Sequence, residues 1–119
     1  DDLVRRQPGI NFGNIHVTPP TKLISNEYHI PTTWGDVEFF EFKNAHTASD
    51  LVVWLPTERV LFTGDIAWND VTPFALMGSV TGAVEALETL QGLGALAIVP
   101  GRGPAGGLRC FKTVLITCA

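Results

Sequence analysis

The sequence predicts a layered α/β domain of the α+β kind, and three observations predict it. Strand-like apolar segments fill most of the first half, one amphipathic helix follows them, and a further apolar strand then runs into a glycine-rich loop. Of the 119 residues, 45% are hydrophobic and only 17% charged, which gives the chain enough apolar material for a core and argues against disorder. At this length the whole chain, 1–119, reads as a single domain.

Taken in order, residues 1–21 read as an irregular N-terminal segment, punctuated by Pro8-Gly9, Gly13-Asn14 and Pro19-Pro20, with Asn14–Thr18 its one extended stretch. Lys22–Ile30 is weakly strand-like. "GDVEFFEF" (Gly35–Phe42) alternates as a strand should, with Val37 and Phe39 on one face and Phe40 and Phe42 on the other. Leu51–Leu55 and Val60–Thr63 read as a hairpin turning at Pro56-Thr57-Glu58-Arg59, and their nearly continuous apolar residues predict cover on both faces. Thr63–Phe74 reads as a long polar-aromatic loop. A helix is expected from an N-cap at Ser79 to about Leu93, with Val80, Val84, Leu87 and Leu90 as its stripe and Gly94 as its stop. "ALAIV" (Ala95–Val99) is the next strand, and "CFKTVLIT" (Cys110–Thr117) a final apolar segment.

Charge and composition exclude several classes. A net charge of −4, with no basic cluster beyond Arg5-Arg6, argues against nucleic acid and anionic membranes as partners. No apolar run reaches the roughly 18 residues of a membrane helix, and "DDLVRRQPGI" has no apolar signal core. The chain lacks an initiator Met, so it reads as processed, trimmed or part of something longer. Cys110 and Cys118 have neither zinc nor disulfide-framework spacing and read as buried thiols, which points to a cytoplasmic protein.

Chemistry-bearing residues gather in three loops at strand ends: "NAHTASD" with His46, Thr47, Ser49 and Asp50, "FTGD" with Asp65, and "PGRGP" with Arg102. The glycines Gly101, Gly103, Gly106 and Gly107 lack P-loop spacing and are not followed by Lys-Ser/Thr. Together the three motifs, in order from about Phe42 to Gly107, resemble the second half of a metallo-β-lactamase-fold hydrolase. The resemblance implies half of an αββα sandwich, a parent activity of zinc-dependent hydrolysis of an ester, thioester or lactam, and a small-molecule substrate. It puts His46 in the place of a zinc-binding histidine and Asp65 in that of a metal-bridging carboxylate, with Asp50 and Thr47 behind them as supporting residues. Arg102 stands where the family has a loop histidine, and Ala48 and Ser49 replace the Pro and Gly of the first motif. The family's His-x-His-x-Asp-His motif is not in the chain.

A guanidinium stays protonated and cannot ligate zinc. The matched ligands therefore number two, against the three or four a zinc site needs, and zinc is expected to be absent or substoichiometric. Arg102 can instead neutralise Asp65 or hold a substrate carboxylate. One reading makes His46, Asp65 and Arg102 catalytic, with His46 as base in a cyclase or lyase acting on a small acidic molecule and Arg102, Trp68 and Thr72 binding substrate. The other makes His46 a hydrogen-bonded remnant, Asp65–Arg102 a brace between loops, and the chain a non-catalytic module for dimerisation or partner binding. His16 and His29 read as surface histidines, Trp54 as core, and Trp68 as either core or pocket lining. Half a sandwich leaves an apolar sheet face to cover, by a homodimer or by a missing N-terminal half.

Overall fold

The computed structural model describes residues 13, 16, 18–72 and 77–111. Among the described residues five strands form one sheet in chain order: β1 (Glu27–Thr32), β2 (Gly35–Lys43), β3 (Ser49–Leu55), β4 (Val60–Trp68) and β5 (Ala97–Arg102). The first four make an antiparallel meander, and β5 lies parallel to β4. A parallel neighbour needs a crossover, and helix α1 (Val80–Gly92) supplies it. Backbone beginning at residue 109 is helical again.

The core lies between one face of the sheet and α1. Val52 and Trp54 of β3, Leu61 and Ile66 of β4 and Ile98 of β5 are buried there with Ala86, Leu87 and Leu90 of the helix, and Cys110 and Phe111 close the layer. Phe40 and Phe42 pack against the same cluster, while Phe39 meets Tyr28 on the opposite face with ring centroids 6.1 Å apart. The alternation expected in β2 is therefore the one observed. Burial pushes the Cys110 thiol above its ordinary range.

Four elements differ from expectation, each for a visible reason. Thr63–Trp68 is strand rather than loop. Gly64, at φ +53°, permits a register shift, after which Trp68 pairs with Arg102 and Ile66, Ala67 and Trp68 are buried. The fifth strand likewise extends through "PGR" to Arg102 instead of stopping at Val99. The first strand starts late, at Glu27, and continues past Ile30 through Pro31, which an edge strand tolerates because one side of it needs no ladder bonds. Helix α1 has the expected ends: Ser79 Oγ accepts from the Gly82 N–H at 2.9 Å, and Gly94 follows the C-cap at φ +68°. Its buried stripe, however, is Ala83, Ala86, Leu87 and Leu90, and Val80 is exposed. The first turn is fixed by contact of Ser79 and Gly82 with the loop after β2, and that contact sets the rotation of the helix.

The outer face of the sheet is not covered by the described residues. Ile30, Leu51 and Phe62 are 40%, 46% and 40% exposed, on the face opposite the buried Val52, Trp54 and Leu61. Among the described residues no helix is long and apolar enough to cross a membrane. Asn14, Ile15 and Val17, within the expected extended stretch, and Cys118 lie outside the described residues, as does most of the final apolar segment.

Candidate functional site

The three loops singled out in the sequence meet at one end of the sheet. His46 sits between β2 and β3, in a loop that Asn44 enters with φ +56°. The Asp50 carboxylate holds this loop, accepting from the Thr47 N–H at 2.9 Å and from Thr47 Oγ1 at 2.8 Å. From behind, α1 presses on it. The Ser79 N–H donates to the Asn44 and Ala45 carbonyls, and a Cβ on Gly78 would lie 1.9 Å from the Ala45 oxygen. Only glycine permits that approach.

Asp65 follows the bulge at Gly64 in β4, and Arg102 ends β5 beside it. A Cβ on Gly101 would stand 2.2 Å from Asp65 Oδ1, so the β5 backbone runs directly against the carboxylate. The Asn69 N–H donates to the Arg102 carbonyl at 3.0 Å and keeps the strand end in place.

The side chains converge on one atom. His46 Nε2 lies 3.5 Å from Asp65 Oδ2, and Arg102 reaches the same oxygen with Nη2 at 3.3 Å and Nε at 3.4 Å. These are looser than the 2.7–2.9 Å or so of tight charge-assisted bonds, so the coupling is chiefly electrostatic. His46 is the most enclosed of the three and Arg102 the most open, with side-chain exposures of 18% and 53%. Trp68 lies beneath them. Its indole N–H donates to the Asp65 carbonyl at 2.7 Å, its ring is 5.8 Å from the His46 ring, and the Arg102 guanidinium carbon is 5.0 Å from its centroid. At 3% exposure Trp68 supports the cluster and offers almost no surface to a ligand. Thr72 is exposed on the segment after β4, and His16 is exposed as well. His29 is far from the cluster in fold terms, paired with Asp36 at 3.1 Å across the β1–β2 hairpin.

Among the described residues no group of three His, Cys, Asp or Glu is placed to hold an ion: at this cluster His46 and Asp65 are of ligand type, and Arg102, the third member, cannot ligate a metal. What the arrangement offers instead is an imidazole oriented by a carboxylate, next to a hydrogen-bond donor of fixed charge. The glycines that make this possible, Gly78, Gly82 and Gly101, carried no sequence signal beyond their small size, because their role lies in which backbone passes them.

Among the described residues, a mixed sheet backed by a crossover helix, with polar residues gathered at a shared strand end, defines a layered α+β unit whose candidate site lies at one end of the sheet. Residues 39–102, just over half of the chain, match the metallo-beta-lactamase superfamily, and the chain belongs to that superfamily. Among solved structures it is similar to a metallo-beta-lactamase from Pontibacter korlensis, with 21% identity, TM-score 0.76, and coverage of 85% of this chain and 49% of that one. It is also similar to TMB-1, at 18% identity and TM-score 0.69 over 98% of this chain and 52% of that one, and to the DIM-1 metallo-beta-lactamase, at 23%, 0.69, 81% and 45%. The chain thus spans about half the length of the solved structures it matches, and identities this low speak to the fold alone. No curated protein sequence matches it.

Proposed function

We propose that the chain carries one edge of a hydrolase-like active site that works by acid–base chemistry on a small acidic molecule. The observation that carries this reading is the convergence of His46 Nε2 and Arg102 Nη2 on Asp65 Oδ2 at 3.5 Å and 3.3 Å. Asp65, with Oδ2 at 3.5 Å from Nε2, orients the His46 imidazole. His46 takes a proton from water, the oxygen adds to an acyl carbon, and Arg102 donates hydrogen bonds to the developing oxyanion. Collapse then expels the leaving group, which receives the proton from His46. The same three groups serve a lyase or cyclase step, where His46 removes a proton next to a carbonyl and Arg102 holds the enolate oxygen. A cytoplasmic setting, in which Cys110 stays a buried thiol, accords with this reading.

The test is turnover of a panel of small esters, thioesters and lactams bearing a carboxylate, with and without chelator. His46→Ala and Asp65→Ala should each abolish turnover at an unchanged melting temperature, and chelator should leave the wild-type rate intact. Rates that fall only in step with stability count against it.

The uncovered outer face favours a second, compatible reading in which the chain is a module completed by a partner. Ile30, Leu51 and Phe62 form an apolar surface that a second copy or a missing N-terminal half would bury. Sedimentation as a monomer, with a cooperative melt and no binding of an apolar dye, would overturn it.

A further inference from the structure

We propose that Arg102 is a resident cation that closes to zinc the position His46 and Asp65 would otherwise share. The inference rests on the reading that these three residues form one site, but it concerns metal binding and not turnover. Two ligands bound about 2.0–2.1 Å from one tetrahedral zinc stand about 3.3–3.4 Å apart. His46 Nε2 and Asp65 Oδ2 are 3.5 Å apart, so the pair already has nearly the spacing a shared ion requires.

The guanidinium takes up what that ion would use. It lies on Asp65 Oδ2 through Nη2 at 3.3 Å and Nε at 3.4 Å, and a guanidinium has no lone pair to offer a metal. A dication entering between His46 and Asp65 would meet a like charge a few ångströms away and would have to displace it from its carboxylate. Displacement is hindered from two further directions. The guanidinium carbon is 5.0 Å from the Trp68 ring centroid, and the Arg102 backbone is tied into the sheet by its pairing with Trp68 and by the Asn69 N–H.

Within β5 the Arg102 side chain is what meets the carboxylate, through Nη2 and Nε, so substitution at this one position changes what stands beside Asp65 Oδ2. Arg102→His offers a third nitrogen ligand and removes the repulsion in one step. Arg102→Ala removes the repulsion alone. The site in its natural form is consequently indifferent to zinc, with its positive charge supplied permanently by the chain.

The test is titration of the full chain and its variants with zinc, followed by native mass spectrometry, and with cobalt(II), followed by the visible absorption that reports tetrahedral coordination. The wild type should show no zinc binding that His46→Ala removes. Arg102→His should bind one zinc at least tenfold more tightly than the wild type, with the gain lost in the Arg102→His/His46→Ala double variant. Arg102→Ala should give a smaller gain, and it carries the test if Arg102→His does not fold. Stoichiometric zinc on the wild type that is lost in His46→Ala overturns the proposal, as does a failure of both Arg102 variants to bind more tightly. Failure of the proposed acid–base reading would appear separately, as turnover that survives His46→Ala whatever the zinc result.

Discussion

Replacing Gly101 by alanine tests the idea that the site is assembled by close backbone contact. The added Cβ would stand 2.2 Å from Asp65 Oδ1, 2.6 Å from the Gly64 carbonyl carbon and 2.8 Å from the Asp65 nitrogen. Ordinary contact between heavy atoms needs about 3.5 Å, so β4 and β5 must part by about 1 Å. Two of the three atoms are backbone, and no rotamer change can absorb the clash. Overpacking of this kind costs about 1–3 kcal/mol, and a backbone collision belongs at the upper end. At about 4–8 °C per kcal/mol for a domain near this size, the melting temperature should fall by about 10–20 °C. Gly92→Ala is the control. Nothing lies within 4 Å of that Cβ, and an alanine at the end of α1 should stabilise by about 0.5–1 kcal/mol. Circular dichroism melts of the two variants decide the matter. A Gly101→Ala melt within about 3 °C of wild type, or an equal fall in Gly92→Ala, would refute the reasoning.

Two further predictions concern the supports of the fold. Ser79→Ala removes the N-cap acceptor of the Gly82 N–H and the 3.1 Å bond to the Asn44 carbonyl, and should cost about 1–2 kcal/mol, seen as a lower urea midpoint at constant slope. Glu41 accepts from the Asn26 N–H at 3.0 Å and from Ser49 Oγ at 2.9 Å, with Lys43 nearby, and these hold its carboxyl below the ordinary range. A lowered folded-state value means its stabilisation is complete above the usual glutamate range and is lost as pH falls through the folded value. The melting-temperature gap between wild type and Glu41→Gln should therefore be widest near neutrality and shrink below about pH 4, as read by melts across a pH series.

What could be read from the sequence follows from how local each signal is. Ser79 and Gly94 announce the ends of α1 through capping chemistry confined to a turn, and Val37–Phe42 announces a strand through its two-residue period. The rotation of α1 is not local. It depends on Gly82 meeting the Asn44 carbonyl, a contact between segments far apart in the chain, and that contact leaves Val80 exposed although its spacing suits the apolar stripe. The continuation of β4 past Thr63 is similarly a property of its pairing with β5, since "GDIAW" is too polar and glycine-interrupted to read as strand by itself. His46, Asp65 and Arg102 were legible as types of residue in ordered motifs. Their convergence on a single oxygen, and the packing of Trp68 beneath them, arise only from the sheet.

The parallel pairing of β4 with β5 also sets an order of assembly. β1 to β4 join neighbours through short turns, whereas β5 must wait for the whole of α1 to cross the sheet. Loop-closure entropy favours the meander first and the crossover last. Asp65 is thus laid down with the early part of the sheet, while its cation arrives with the late part. In hydrogen exchange the amides of β5 should open more readily than those of β3, and each opening would uncouple Arg102 from Asp65 while leaving the meander intact.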